Sequence, residues 1–506
     1  MTIMIRNFIG GKWCEAEGGK RFVSRNPADV REVVAEAPLA GCADVDRAVE
    51  AARGAFPDWR RLPAPRRGEI LFRAGELLIR NKQRLGELVT REMGKVIAEG
   101  LGDVQEAIDI SFYMAGEGRR LQGETVPSEL PDKDCKSLHE PLGVTALVTP
   151  WNFPIAIPAW KLFASLICGN TVIIKPSSET PACAAALVGI LEEAGIPPGV
   201  VNLVCGPGEE VGQYLLTYPG VDAASFTGSC AAGESLERMM AELHRPLALE
   251  MGGKNAIIVM DDADPELALE GVLWGGFGTS GQRCTAASRV IVHERVQERF
   301  VTQLCERADR MRLGNGLKAE TQVGPLINES QGRKVLDYIA LGQEEGARLM
   351  TGGIRAVDGD LAHGFFIRPT VFAGVTPGMR IAREEIFGPV VSVLTCSSLD
   401  EAIELVNNLP FGLSSAIYSR DVNATARAER ELQTGIVYIN ASTIGAEVQL
   451  PFGGWRHSGS GHPEAGGKGG AIDFFSRIKV VYRDYSGRLQ RAQIDKQFVS
   501  SLSSLS

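Results

Sequence analysis

Apolar residues follow two different rhythms along the chain. Between residues 44 and 94 they recur every three or four positions, in DVDRAVEAARGAF and then RGEILFRAGELLIRNKQRLGELVTREMG, which predicts amphipathic helices. The first part of the chain therefore reads as helical. From about residue 123 the pattern breaks. TVPSELPDKDCKSLHEP carries two prolines near its middle with polar alternation, and predicts a hairpin or an excursion from the main body. Short β-rich runs then alternate with helical stretches: 144–149 (VTALVT), 171–175 (TVIIK), helical PACAAALVGILEEAG, 200–204 (VVNLV), a glycine turn and helical EEVGQYLLTY. Strand, crossover helix and strand in that order signal a parallel α/β sheet. A second alternating region spans about 255–440. FFSRIKVVYRDY predicts one further strand. In the serine-rich tail, Leu489, Ile494 and Phe498 are spaced for a docking helix, with a frayed end as the alternative.

Composition narrows the class. A chain of 506 residues is too long for one simple core, and 44% hydrophobic with 23% charged residues is ordinary globular protein. A formal charge of −9 argues against a nucleic-acid partner, and no apolar run approaches the ~20 residues of a membrane span. The N-terminus lacks the layout of a secretion signal. Ten cysteines, scattered without a CxxC pair, fit thiols in a reducing cytosol, so a cytoplasmic location is expected. His457 and His462 are the only close histidine pair, with Glu464 alone nearby, so no metal site is expected.

Five stretches carry candidate chemistry. In FGTSGQRCTA a cysteine, Cys284, follows a run suited to a turn or helix start; a plain loop cysteine is the alternative. LALEMGGKN places Glu250 at the end of an apolar run, where burial would raise its pKa toward that of a general base. PWNFP stiffens the loop around Asn152, whose amide could serve as a fixed donor. Two glycine turns, GPGEEVG and FTGSCAAGE, each stand between a predicted strand and a helix, where phosphate binds. By themselves these two are equally compatible with a nucleotide site or with plain turns.

Together with FIGGKW, VIIKPSSETP, EEIFGPV and PFGG, in the family's order and with Cys284 34 positions after Glu250, these motifs resemble the NAD(P)-dependent aldehyde dehydrogenases. The resemblance covers almost the whole chain. It implies a Rossmann-like nucleotide-binding domain (1–122 and 142–252), an α/β catalytic domain (253–452) and a small β oligomerisation element (123–141 and 453–487), with 488–506 as a tail. It implies Cys284 as the nucleophile, Asn152 with the Cys284 N–H as the oxyanion donors, and Glu250 as the base that activates water. CoA-acylating relatives usually lack that glutamate, so hydrolytic release is expected. For NAD or NADP the resemblance points to Lys175, here also grouped with the catalytic set, and to Ser178, Gly228, Ser229, Gly233, Glu385 and Phe387. It favours FTGS over GPGEEVG for the main contact. Assembly as a homodimer or homotetramer is expected.

Departures from the family pattern bear on specificity. The glutamate that excludes NADP in many relatives is replaced by Ser178, with Glu179 one position on, so either cofactor is expected. Thr279 stands where asparagine is frequent, Arg456 where lysine is usual, and SGSGHPEAGG replaces the common ending. Arg283, beside the nucleophile, suits a bidentate contact to a substrate carboxylate. STIGAEVQLPFGG resembles an anchor loop that holds a carboxylate on backbone N–H groups, around Gly445 and Ala446. The expected substrate is a semialdehyde with a distal carboxylate, such as that of 2-oxoglutarate or aminoadipate. The alternatives are an internal salt bridge for Arg283, a general aliphatic or aromatic aldehyde substrate, and a catalytically silent family member.

Overall fold

The computed structural model describes residues 2–494. Five parallel strands form most of the first sheet, in spatial order Leu247–Glu250, Ala223–Thr227, Val144–Val148, Thr171–Lys175 and Val201–Leu203. Leu247 aside, every residue in them is buried, as a parallel sheet covered on both faces requires. The predicted helices are present at Cys42–Arg61 and Ala64–Met93, followed by Ile97–Glu117 packed along the second of these. EEVGQYLLTY opens with a π-helical turn, Gly208–Gly212, before a short α-helix, Gln213–Thr217.

One correction concerns the start of the chain, which is not helical but strand-rich up to Pro38. FIGGKW is a hairpin: Asn7–Ile9 and Lys12–Cys14 extend the first sheet antiparallel at its edge, turning through Gly10 and Gly11 with φ of 60° and 81°. Arg21–Asn26 and Asp29–Pro38 pair as a second hairpin. Strands of three residues are too short to show a period of two.

The second sheet also has seven strands, ordered Arg348–Thr351, Thr370–Ala373, Val390–Cys396, Ala287–His293, Asn255–Val259, Ser414–Tyr418 and Ile436–Ile439. All its neighbours are parallel except the first pair. Lys133–Pro141 pairs antiparallel with both Thr125–Pro127 and Ser476–Asp484, so the excursion after residue 123 meets the late strand in one three-stranded sheet. The tail forms no helix as far as Ile494: Leu489 and Ile494 are 85% and 68% exposed, and Phe498 lies outside the described residues. Among the described residues no helix is long and apolar enough to cross a membrane.

Candidate active site

Parallel strands deliver their functional side chains at their carboxyl ends. Lys175, Thr227 and Glu250 are the last residues of three strands of the first sheet, and Asn152 lies just beyond a fourth, Val144–Val148, which runs between the Thr227 and Lys175 strands. The second sheet supplies the loop that carries Cys284. Thr279, Ser280 and Gly281 all have positive φ (51°, 56° and 68°) immediately before Cys284. A Cβ on Gly281 would come within 2.1 Å of the Gly388 carbonyl oxygen, so only glycine fits there. The Thr279 N–H donates to both oxygens of Glu99 (2.9 and 3.1 Å), and Ser280 Oγ donates to the Gly324 carbonyl (2.7 Å). Asn255 Nδ2 donates to the carbonyls of Cys284 (2.7 Å) and Ala286 (3.0 Å), tying the loop to the sheet.

Cys284 is half-buried at the meeting of two cavities. Burial, then the charges of Glu250, Glu464 and Glu385, push its thiol well above the ordinary range. Asn152 Nδ2 donates to the Gln282 carbonyl (3.1 Å), which holds the amide beside the nucleophile with a second N–H to spare. The Cys284 N–H makes no hydrogen bond among the described residues. The two donors of the expected oxyanion pair thus flank one cavity wall.

Glu250 is buried. Its Oε2 accepts from the Gly454 N–H (3.1 Å), while Oε1 has no partner. Burial and then the neighbouring Glu464 raise its pKa well above a normal carboxylate's, against the pull of Gly454 and Lys161. Glu464 and Lys161 form a fully buried ion pair, to which Thr227 adds a hydrogen bond at the same oxygen, and Lys161 Nζ also donates to Ser225 Oγ (2.5 Å). Sequence reading assigned nothing to Lys161 or Thr227, and considered Glu464 only as a metal ligand. Nothing local distinguishes them: they stand 303 residues apart at the extreme and meet only through the fold.

The larger of the two cavities, about 180 Å³, runs from Cys284 past Pro150, Trp151, Gly228, Ser229, Gly252, Glu385 and Phe387. Ser229 caps the helix Cys230–Leu243, its Oγ accepting from the Ala232 N–H. Glu385 Oε1 accepts from the Gly253 N–H (3.0 Å), and burial raises its pKa. A Cβ on Gly252 would lie 2.1 Å from that carboxylate, so glycine is what lets Glu385 approach. Phe387, at φ 59°, packs edge-on against Trp151 with centroids 5.5 Å apart. Gln331, which sequence reading missed, donates to the carbonyls of Ile386 and Phe387 (3.1 and 2.7 Å), and Lys334 also reaches the cleft. Lys175 Nζ donates to Pro176 and Gly206 carbonyls (2.7 and 3.1 Å), and burial lowers its pKa to about 8. Ser178 Oγ donates to the same Gly206 carbonyl (3.1 Å), so the GPGEEVG turn adjoins the lysine. Gly233 is buried, and a Cβ there would lie 2.2 Å from Met251 Sδ; it sets helix-to-strand packing and is not among the residues lining the cleft. A glycine-lined cleft ending at a helix N-terminus, with hydroxyl, carboxylate and ammonium groups along it, fits a dinucleotide.

The second cavity, about 40 Å³, lies on the other side of Cys284 and Glu250, walled by Phe153, Trp160, Tyr438 and Phe452. Gly445 and Ala446 line it, and neither N–H is hydrogen-bonded among the described residues. The indole Nε1 of Trp160 is buried without a partner. Arg283 also lines this cavity, but its Nη2 pairs with Glu99 (3.1 Å), its Nε donates to Thr279 Oγ1 (2.9 Å), and it lies over the Phe153 ring at 5.1 Å. The internal salt bridge is therefore made, with Nη1 left over. His457 and His462 do not meet: the first bonds Glu234 (3.1 Å), the second packs on Phe474. Among the described residues no group of side chains could hold a metal.

Comparison with known proteins agrees with this geometry. The family model described as "Aldehyde dehydrogenase family" matches residues 13–481. The alpha-ketoglutaric semialdehyde dehydrogenase of Bacillus subtilis is 41% identical over 94% of this chain and 97% of its own. The alpha-ketoglutarate semialdehyde dehydrogenase of Haloferax volcanii is likewise 41% identical, over 96% of this chain and 100% of its own. Betaine aldehyde dehydrogenase from Staphylococcus aureus, solved in complex with NAD+, superposes with a TM-score of 0.93 at 34% identity, covering 96% of each chain. A whole-length family match, two relatives at this identity and a fold that superposes throughout lead to one conclusion: the chain belongs to the aldehyde dehydrogenase family.

Proposed function

We propose that the protein oxidises a carboxylate-bearing semialdehyde to the acid with NAD or NADP. The observation that carries the substrate class is the set of donors without a partner among the described residues, all on residues that line the smaller cavity: the N–H groups of Gly445 and Ala446, Trp160 Nε1 and the remaining Nη1 of Arg283. Donors left unpaired in a desolvated wall favour an anionic acceptor. The names of the Bacillus and Haloferax relatives support the same class.

In this mechanism Cys284 attacks the aldehyde carbon as the thiolate, its thiol proton lost to solvent beforehand, and the Asn152 amide and Cys284 N–H stabilise the oxyanion of the thiohemiacetal. Each such donor contributes roughly 3–4 kcal/mol of barrier lowering. NAD(P)+ held in the larger cleft would supply the hydride acceptor by which the thiohemiacetal becomes a thioester on Cys284. Lys175, Ser178, Gly228, Ser229, Glu385 and Phe387 would hold that cofactor, with Gly233 supporting the helix beneath it. Glu250 then takes a proton from water, which attacks the thioester and frees the cysteine. Nothing at Ser178 repels a ribose 2′-phosphate, and Glu179 is turned to Asn328 (2.8 Å), which favours tolerance of both cofactors.

One observation favours a second reading, a general aliphatic or aromatic aldehyde substrate: Arg283 is already paired and the cavity wall is aromatic. NAD(P)H formation from matched carboxylated and neutral aldehydes, tried with each cofactor and with Cys284→Ala as control, separates the two. Higher kcat/KM for the carboxylated set supports the first reading. Preference for neutral aldehydes overturns it and leaves the reaction standing. The assembly proposed is a homodimer or homotetramer built through the strand Ser476–Asp484.

A further inference from the structure

Glu106 has no place in the scheme above, yet it lines the smaller cavity together with Cys284, Arg283, Tyr438 and Ala446. It lies on the helix Ile97–Glu117 and makes no hydrogen bond to the described protein. A carboxylate left bare in an aromatic wall calls for a reason.

The surrounding charges supply one. On its own helix Glu106 has Asp103 one turn before it, Asp109 one turn after it and Glu99 further back. From the segment preceding that helix comes Lys95, but this ammonium is paired with Asp103 at 3.0 Å and sits over the Phe153 ring at 3.6 Å. From the nucleophile loop comes Arg283, which is paired with Glu99. The neighbouring helix Ala64–Met93 offers Lys82, whose ammonium is bonded to Gln105 (2.6 Å). The strand Ile436–Ile439 contributes Tyr438, and the far wall contributes Cys284, Glu250 and Glu464. The cations are spoken for and the remaining charges are negative. Burial first, and then Asp103, push the Glu106 carboxyl up to about 8.

We propose that Glu106 works as an uncharged hydrogen-bond donor to the carboxylate-bearing end of the aldehyde, so that selectivity for carboxylated substrates disappears when Glu106 ionises. This rests on the substrate reading above and adds a residue and a pH dependence to it. Protonated, the group adds a donor to those of Gly445, Ala446 and Trp160 on residues that line the same cavity. Ionised, it faces the substrate carboxylate as a like charge and offers no donor. Glu106 is a substrate-binding residue in this account and takes no part in the bond-making at Cys284.

The test is the ratio of kcat/KM for 4-oxobutanoate to that for butanal, measured from pH 6 to 10 in the wild type and in Glu106→Gln. Ionisations at Cys284 and Glu250 affect both substrates and cancel in the ratio. The expected result is a fall of about tenfold in the ratio between pH 7 and pH 9 in the wild type, the behaviour of one group titrating near 8. In Glu106→Gln, where the amide is a permanent neutral donor, the ratio stays flat. A flat ratio in the wild type, which needs no variant, overturns the proposal; so does the same fall persisting in Glu106→Gln. If 4-oxobutanoate is preferred with a flat profile, only the role of Glu106 is lost. If butanal is preferred at every pH, the substrate reading fails and this proposal falls with it.

Discussion

Thr279 occupies left-handed backbone space, which a β-branched residue enters only at a cost of about 1–3 kcal/mol. Asparagine tolerates the same conformation, so the frequent family residue at this position is the less strained one. The strain is held in place because Glu99 accepts the Thr279 N–H while Thr279 Oγ1 accepts from Arg283. Thr279→Asn is therefore expected to raise the midpoint of thermal unfolding, by the equivalent of about 1 kcal/mol; a lower midpoint would show that the hydroxyl contact outweighs the backbone. At the base, the charge of Glu464 keeps the proton on Glu250. Glu464→Gln removes that charge and leaves Lys161 to favour ionised Glu250, so the acid limb of the kcat profile shifts to lower pH. The buried Lys161 left unpaired also lowers stability, by about 3–5 kcal/mol. An unchanged limb in a folded variant would separate Glu464 from the base. Asn152→Ala should cost about 10²–10³-fold in kcat, measured at saturating aldehyde. Motif spacing made Cys284, Glu250 and Asn152 legible from sequence. Lys161, Thr227 and Glu106 were not, because each is an ordinary residue of its element until distant segments place a carboxylate or a cavity beside it.

At the scale of elements, the late strand is the exposed one. Among the described residues Ser476–Asp484 pairs only with Lys133–Pro141, and Ile478, Val480 and Tyr482 project from it 57%, 56% and 67% exposed. An unprotected edge of nine residues with an apolar face is a pairing surface. Val480→Lys is expected to shift the assembly to smaller species by size-exclusion chromatography with light scattering; an unchanged mass would move the interface elsewhere. The tail touches the same region, since Gln490 donates to the Pro131 carbonyl (2.8 Å) and the Tyr485 N–H to that of Asp132 (3.0 Å). Sequence periodicity found the long helices and the buried parallel strands because each repeats its pattern several times. It missed Asn7–Ile9 and Lys12–Cys14, whose three residues contain no full repeat and whose place at the sheet edge is set by the Gly10–Gly11 turn.

Across the whole molecule, two seven-stranded sheets divide the chemistry between them. The first presents Glu250, Lys175 and the glycine turn, while the second carries the nucleophile loop, bound to it through Asn255. Cys284 stands at the seam, lining both the glycine-lined cleft and the aromatic cavity. Burial and neighbouring negative charge push both its thiol and the Glu250 carboxyl well above their ordinary ranges. Activity on any aldehyde should accordingly fall as pH drops, along a limb well above the usual carboxylate range. A limb near 4.5, the ordinary value for glutamate, would show that Glu250 is not the group controlling it.

The central claim is that a thioester forms on Cys284 and is hydrolysed through Glu250. It is tested most directly by intact-mass and peptide mapping of Glu250→Gln after mixing with NAD(P)+ and 4-oxobutanoate. The account predicts an acyl adduct confined to Cys284, persisting far longer than in the wild type. An adduct absent from Cys284, or one that turns over at the wild-type rate, would contradict it.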